Sequence, residues 1–107
     1  MRVLCVCHCG VTRSVGFAWC LRERRIEAIP VAWWRHLTSD ETFIMLLRWC
    51  DKVVLAQPVF LDRIPNEFKN KVLIWDVGPD EGRYKEALNP ELQRLANAFA
   101  DRDFGKR

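Results

Sequence analysis

Residues 1–16 constrain the fold most, because a short apolar run leads directly into a loop that carries a cysteine and an arginine. The run Arg2-Val-Leu-Cys-Val-Cys7 is β-branched and apolar, which is typical of a buried strand. Gly10 follows it and permits a positive φ, and strong helix formers from Ser14 to Arg25 predict a helix. The sequence therefore predicts a strand, a tight loop and a helix in immediate succession.

The spacing Cys7-x5-Arg13 places a thiol at the end of the predicted strand and a guanidinium beside the start of the helix. In such a turn the backbone N–H groups of residues 8–13 point inward and the helix dipole adds to them, so a phosphate or sulfate anion is expected to bind there. The same field favours a thiolate at Cys7, and Arg13 can hold two phosphate oxygens. Ser14 could hydrogen-bond the Cys7 sulfur. The pattern thus predicts a nucleophile, Cys7, an arginine that stabilises the transferring phosphoryl group, Arg13, and an anion-binding loop made of His8, Cys9, Gly10, Val11, Thr12 and Ser14.

The rest of the chain alternates strand and helix signals, which indicates an α/β fold with a parallel sheet and helices on both faces. Three further strands are predicted at Glu27 to Trp33, Val53 to Ala56 and Val72 to Trp75. Other signals are a capping box for a second helix, two prolines around a short helix or turn, and the start of a last helix: Thr38-x-x-Glu41, Pro58 and Pro65, and Asn89-Pro90. Right-handed crossovers then favour a three-layer α/β/α fold with strand order 2-1-3-4, whose ligands bind at the carboxyl ends of the strands.

The stretch Val3-Leu-Cys-Val-Cys-His-Cys-Gly-Val-Thr-Arg-Ser14 resembles the phosphate-binding loop of the low-molecular-weight protein tyrosine phosphatases, and more closely that of the short predicted tyrosine phosphatases related to them. The likeness extends over most of the chain, through Thr38-Ser-Asp-Glu-Thr42, Leu47-Arg-Trp-Cys-Asp51, Asp76-Val-Gly-Pro-Asp80 and Leu88-Asn-Pro-Glu-Leu92. The resemblance implies hydrolysis of phosphotyrosine or aryl phosphate monoesters through a phosphocysteine intermediate, with a phosphotyrosine-containing protein or a small aryl phosphate as partner and no metal or other cofactor. Gly10 and Thr12 depart from the larger enzymes, which usually carry Asn and Cys there, so the usual vicinal redox pair is missing.

The loop after the fourth predicted strand should supply a general acid, because a phenolate leaves readily only if a proton arrives as the P–O bond breaks. Asp76 directly follows the strand, a position that resembles the acid of the larger enzymes, whereas Asp80 resembles the Pro-Asp of the shorter family. Gly78 and Gly82 would let the loop close over substrate, which favours Asp80 slightly, and Asp76 could instead hydrogen-bond backbone at the base of the loop. By resemblance alone, Tyr84 is expected to line the entrance.

Other side chains near the loop admit several roles. His8 and Cys9 are expected to shape the rim of the site, and either Cys5 or Cys9 could form a disulfide bond with Cys7. The aromatic segment Trp33-Trp34-Arg35-His36 could form one wall of the pocket and stack on a phenyl ring, although a purely structural role is favoured for it.

Three rival functions use the same residues and stay open at the level of sequence. A metal site could use Cys5-x-Cys7-His8-Cys9, although alternate residues of a strand point to opposite faces and no second cluster completes a tetrahedral set. A thiol-dependent arsenate reductase looks similar in fold and loop, but Cys20 and Cys50 lie on apolar helical faces and are poorly placed for a disulfide relay. A phosphocysteine carrier of sugar transport has a comparable fold, but such carriers generally lack the arginine that Arg13 supplies. A phosphate-binding relative without hydrolytic activity also stays open.

The composition indicates one small domain that spans residues 1–107. Half of the 107 residues are hydrophobic, which is enough for a core and leaves no room for a second domain. Five cysteines crowded towards one end favour a reducing cytoplasm over a secreted disulfide framework. The N-terminal apolar run is too short for a signal peptide or a membrane span, and a net charge of +3 with mostly scattered basic residues predicts no binding to membranes or nucleic acids.

Overall fold

A four-stranded parallel sheet forms the centre of the structure, a computed structural model that describes residues 1–106. The strands are β1 (Arg2–Cys7), β2 (Glu27–Ala32), β3 (Lys52–Leu55) and β4 (Val72–Ile74), and they lie in the order β2-β1-β3-β4. The helices are α1 (Arg13–Glu23), α2 (Asp40–Trp49) and α3 (Pro90–Phe104), and two 3₁₀ segments, Pro58–Arg63 and Asn66–Lys71, lie between β3 and β4. The predicted fold class, parallel pairing and strand order are therefore confirmed.

Strand β1 lies in the middle of the sheet, and all its residues from 3 to 7 are buried. This burial explains its unbroken apolar sequence, because a parallel strand covered by helices on both faces has no polar side. Strand β2 lies at one edge and contains Pro30, which has no N–H to donate and is tolerated only where one side of the strand is unpaired. Cys7 pairs with Ala32 at the carboxyl ends of these two strands, which sets the position from which the next loop starts.

Helices α1 and α3 pack against each other on one face of the sheet. Gly16 permits this contact, because a Cβ atom there would lie 2.7 Å from both the Ala87 carbonyl oxygen and Leu92 Cδ2. The connection from β1 to β2 crosses the sheet in one direction, and the connection from β2 to β3 crosses it in the opposite direction. Right-handed crossovers therefore place α2 on the face opposite α1, where it contacts β1. Within residues 1–106, none of the helices combines the length and apolar character that crossing a membrane requires.

The N-terminus of α2 differs from the prediction. The capping box from Thr38 and Glu41 is wrong, because Ser39 is the N-cap and its hydroxyl oxygen accepts a hydrogen bond from the Thr42 N–H at 3.2 Å. Thr38 belongs to the preceding turn instead: its N–H donates to the Trp34 carbonyl at 3.1 Å, and the residue is buried. Two adjacent hydroxyl residues compete for the cap, and the turn before the helix decides between them.

Trp75 fixes the chain where it leaves β4. Its ring stacks on Phe99 of α3 at 5.8 Å between ring centroids and meets Phe17 of α1 edge-on at 5.2 Å. The indole N–H donates to Asp103 Oδ2 at 2.8 Å, and the backbone N–H donates to the Leu55 carbonyl at 2.9 Å. The start of the β4–α3 loop (residues 75–89) is therefore held by both helices of one layer and by β3.

Tyr84 anchors the β4–α3 loop from below and does not line an entrance, which corrects the role expected from resemblance. The side chain is fully buried, its hydroxyl donates to the Val77 carbonyl at 2.6 Å, and its backbone N–H donates to Asp80 Oδ1 at 3.2 Å. Burial raises the pKa of Tyr84 above its ordinary value. A phenol whose ring is packed in the core holds the loop in place through its hydroxyl.

We expect Tyr84→Phe to lower the free energy of unfolding by about 1 kcal/mol at neutral pH, because the Val77 carbonyl loses its hydrogen bond. Tyr84 is the only tyrosine in the sequence, so an absorbance titration of phenolate reports its pKa directly. With the folded pKa raised, the stability that Tyr84 contributes is fully present below its ordinary value of 10.0 and is lost as the pH rises above it.

Urea denaturation of both proteins at pH 7 and in an alkaline buffer above the ordinary phenol pKa of 10.0 checks this prediction. The stability difference between wild type and Tyr84→Phe should shrink in the alkaline buffer. A phenolate titration at the ordinary value, with no loss of stability in the variant, would contradict the anchoring role.

Candidate active site

The β1–α1 loop (residues 8–12) lies at the carboxyl edge of the sheet, where parallel topology brings ligand sites together. Its start is fixed by β2, since the Cys7 carbonyl accepts a hydrogen bond from the Trp33 N–H at 2.8 Å. Gly10 has a φ of +70°, and a Cβ atom there would lie 2.8 Å from the Ala32 nitrogen. Only glycine fits both the positive φ and this close approach to β2.

Cys7 ends β1 with its sulfur directed at the first turn of α1. The Ser14 N–H donates to Cys7 Sγ at 3.3 Å, and the Ser14 hydroxyl oxygen lies 3.1 Å from the same sulfur. Both residues are buried, with Cys7 exposed by only 3%. In this arrangement the Cys7 thiol donates to the Ser14 hydroxyl oxygen, and the sulfur accepts from the Ser14 N–H at the positive end of the α1 dipole.

Arg13, the first residue of α1, is buried, and its side chain reaches the segments that follow β3 and β4. Its Nη1 donates to Gln57 Oε1 at 2.7 Å and to the Gly78 carbonyl at 2.8 Å. Its Nε is also buried and has no hydrogen-bond partner among residues 1–106. The same is true of Nε of Arg24 and Arg63.

A cavity of about 510 Å³ opens over this edge of the sheet. The floor is formed by Cys7, Arg13 and four loop residues, His8, Cys9, Val11 and Thr12. Of the residues predicted for the anion loop, Gly10 and Ser14 do not line the cavity: Gly10 packs on β2, and Ser14 contacts the sulfur from beneath. The structure thus brings the predicted nucleophile and arginine into one cavity.

One wall of the cavity is aromatic. Trp33 lines it, and its ring lies 5.5 Å from that of Phe60, which also lines the cavity. The His8 ring lies 5.7 Å from Trp33 and 5.6 Å from Trp34 between centroids. His36 is exposed, contacts only the Trp34 ring among the described aromatic rings, and does not line the cavity, so the predicted wall is Trp33 rather than the whole segment.

Trp33 is held at both its side chain and its backbone. The indole N–H donates to Asp62 Oδ1 at 2.8 Å, and the Trp33 carbonyl accepts a hydrogen bond from Arg63. Arg63 is itself buried, lies over the Phe43 ring at 4.3 Å and forms an ion pair with Asp40 at 3.0 Å. Hydrogen bonds from Arg63 and then Arg35 hold the pKa of Asp40 below its ordinary value. The wall is therefore rigid.

The β4–α3 loop forms the opposite wall and separates the two candidate acids. Asp80 lines the cavity together with Pro79 and Glu81, and its Oδ1 caps the following turn through the Tyr84 N–H. Asp76 is exposed, does not line the cavity, and its Oδ1 accepts a hydrogen bond from the Gly78 N–H at 3.0 Å. Asp76 thus has the backbone role at the base of the loop that the sequence left open for it.

The remaining cysteines differ in their surroundings. Burial raises the pKa of the Cys5 thiol, which keeps it neutral inside the sheet. Cys9 is exposed, and its Sγ lies 3.1 Å from His8 Nδ1. Cys20 and Cys50 are buried, as expected. In the part of the chain that the structure describes, no group of three or more Cys, His, Asp or Glu side chains could hold a metal ion.

Sequence reasoning missed several residues of the site. Gln57 lies two residues after β3, Val59 and Phe60 lie in the first 3₁₀ segment, and Glu81 lies in the β4–α3 loop. The signal that could have found Gln57 is topological, because residues just after the carboxyl end of β3 must lie at the same sheet edge as Cys7.

No protein-family model matches this chain, and no curated protein is significantly similar to it in sequence. Among solved structures it is similar to the YwlE arginine phosphatase from Geobacillus stearothermophilus, with a TM-score of 0.65 over 94% of this chain and 91% of that one. The two sequences are 16% identical, so the likeness concerns the fold. The chain has the fold of this phosphatase, which confirms the fold that the resemblance to low-molecular-weight phosphatases implied.

Proposed function

We propose that this protein is a cysteine-dependent phosphatase that hydrolyses phosphotyrosine or another aryl phosphate monoester through a phosphocysteine intermediate. One observation carries the proposal: a buried sulfur that receives the Ser14 N–H and a buried guanidinium that has no carboxylate partner among residues 1–106 belong to two residues of the same cavity, Cys7 and Arg13. The fold shared with an arginine phosphatase supports phosphatase chemistry in general.

In the first step the Cys7 thiolate attacks phosphorus, the S–P bond forms, and the bond from phosphorus to the aryl oxygen breaks. The Asp80 carboxyl group transfers its proton to that leaving oxygen. Arg13 and the N–H groups of the β1–α1 loop neutralise the charge on the three non-bridging oxygens. Asp80 fits this role because it lines the cavity, whereas Asp76 does not.

In the second step a water molecule attacks phosphorus and gives its proton to the Asp80 carboxylate. The S–P bond breaks, inorganic phosphate leaves, and the electron pair of that bond stays on sulfur as the thiolate. The Ser14 hydroxyl, 3.1 Å from Cys7 Sγ, can donate a hydrogen bond to the departing thiolate. The burial of Cys20 and Cys50 supports hydrolysis over the disulfide relay of an arsenate reductase, and the presence of Arg13 supports it over a carrier role.

The aromatic wall supports an aryl substrate, because the faces of Trp33 and Phe60 can pack against a phenyl ring. Phosphoarginine is the second candidate. Two carboxylates, Asp80 and Glu81, line the opposite wall and could pair with a guanidinium group, and the structural neighbour is an arginine phosphatase.

Hydrolysis of p-nitrophenyl phosphate in excess EDTA tests the proposal. Cys7→Ser should reduce kcat by at least about 1,000-fold, because a hydroxyl at this position is a far weaker nucleophile than a thiolate. The matched control is Cys50→Ala, which removes a buried thiol outside the cavity and should keep the activity. Comparing phosphotyrosine and phosphoarginine peptides then chooses between the two substrates. Absence of turnover in the wild type, with phosphate still bound, would indicate a carrier or binding module.

Leaving-group dependence tests the general acid. Asp80→Asn should lower kcat by about 100-fold for aryl phosphates with poor leaving groups and far less for those with good ones, because only the former need the proton. Asp76→Asn is the comparison variant, since its amide oxygen still accepts from the Gly78 N–H. An equal loss on both classes of substrate for Asp80→Asn, or the selective loss in Asp76→Asn instead, would refute the assignment.

A further inference from the structure

Gln57 lies two residues after the carboxyl end of β3 and lines the cavity. The preceding residue, Ala56, is fixed to β1 by its N–H, which donates to the Val6 carbonyl at 3.0 Å. The Gln57 side chain then accepts a hydrogen bond from Arg13 Nη1 at 2.7 Å through its amide oxygen. Because a guanidinium has only donors, the amide oxygen is the atom that must face it.

Arg13 differs from the other buried arginines in the charge of its partners. Arg24 pairs with Asp101 at 2.8 Å, and Arg63 pairs with Asp40 at 3.0 Å. Arg13 forms no ion pair with any carboxylate of residues 1–106, and its two acceptors, Gln57 and the Gly78 carbonyl, are both neutral.

Buried charges in proteins are normally paired, because an ion without a counter-ion loses its hydration with no compensation. The neutral partners of Arg13 satisfy the geometry of Nη1 and leave the charge uncompensated, while Nε has no partner in the described chain. Nε of Arg24 and Arg63 also has no partner there, so the uncompensated charge is what distinguishes Arg13, and a dianionic phosphoryl group could pair with that charge.

We infer that Gln57 is a positioning residue whose neutral amide orients Arg13 without neutralising it, so that the affinity of the site for a tetrahedral dianion depends on the absence of a carboxylate at position 57. The identity of the dianion as a phosphoryl group rests on the proposed function. A carboxylate of the same shape would keep the hydrogen bond and cancel the charge, which would weaken anion binding.

The inference is tested with Gln57→Glu, which preserves the length of the side chain and its acceptor atom. The probe is sulfate, which remains a dianion across the pH range used, and binding is measured by titration calorimetry. The control is Asn70→Asp, which adds the same charge to an exposed residue just before the amino end of β4, at the opposite edge of the sheet. Circular dichroism and thermal unfolding establish that each variant is folded.

At about pH 8, Gln57→Glu should bind sulfate at least about tenfold more weakly than the wild type, and Asn70→Asp should bind it equally well. At about pH 3, below the ordinary glutamate pKa of about 4.3 and low enough to offset the effect of the neighbouring guanidinium, the affinity of Gln57→Glu should recover towards that of the wild type as the introduced carboxyl group takes up a proton. This recovery separates a charge effect from a structural one, because a distorted site would stay weak at both pH values.

A second variant, Gln57→Met, tests the orienting role without a new charge. Loss of the acceptor should weaken sulfate binding by about threefold to tenfold at both pH values, corresponding to one hydrogen bond that holds Arg13. Equal affinity of Gln57→Glu and the wild type at both pH values would overturn the inference, as would wild-type affinity in Gln57→Met.

These measurements do not depend on turnover. If the wild type binds sulfate and the Gln57 variants behave as stated but no phosphate ester is hydrolysed, the proposed function fails and the role of Gln57 stands. If esters are hydrolysed and the Gln57 variants bind sulfate like the wild type, the proposed function stands and the role of Gln57 fails.

Discussion

The side chain of Arg13 ties together the ends of three strands. Its backbone begins α1 directly after the loop that leaves β1, and its Nη1 bonds to Gln57 after β3 and to Gly78 after β4. Each of these loops could move separately at the edge of an open sheet, since loops at such an edge pack little against one another. The guanidinium connects them, so the proposed nucleophile Cys7, the β1–α1 loop and the β4–α3 loop that carries Asp80 are held in fixed relative positions.

This arrangement leaves a buried donor without an acceptor, and the remainder of the fold compensates for the cost. Trp75 clamps α1, α3 and β4 together, and the Tyr84 hydroxyl holds the loop above them by its bond to Val77. Arg63 fixes the aromatic wall through the Trp33 carbonyl. These contacts hold the loops around the cavity, while the charge of Arg13 within it has no carboxylate partner among residues 1–106.

The features that the sequence predicts correctly are those set by residues close together in the chain. Cys7, Gly10 and Arg13 lie within one strand-loop-helix unit, so their spacing alone indicates an anion site, and alternation of strand and helix indicates the sheet order. The choice between Asp76 and Asp80 could not be made from spacing, because it depends on how the β4–α3 loop folds back over the cavity.

Tyr84 and Gln57 show where local reasoning ends. By resemblance alone Tyr84 is expected at the entrance, but its hydroxyl bonds to a carbonyl within the same loop and its ring joins the core. Gln57 carries no periodic or motif signal, and its importance comes entirely from an arginine far away in the sequence. Contacts of this kind become visible only when the three strand ends are brought together.

The central claim is that Cys7 carries the phosphoryl group during turnover. Rapid mixing of the wild type with an aryl phosphate that has a good leaving group, followed by acid quench and peptide mass spectrometry, tests it directly. The account predicts a phosphoryl group on the peptide that contains Cys7, with Cys7→Ser showing none. Hydrolysis that proceeds with the phosphoryl group on another residue, or with no labelled peptide during turnover, would contradict it.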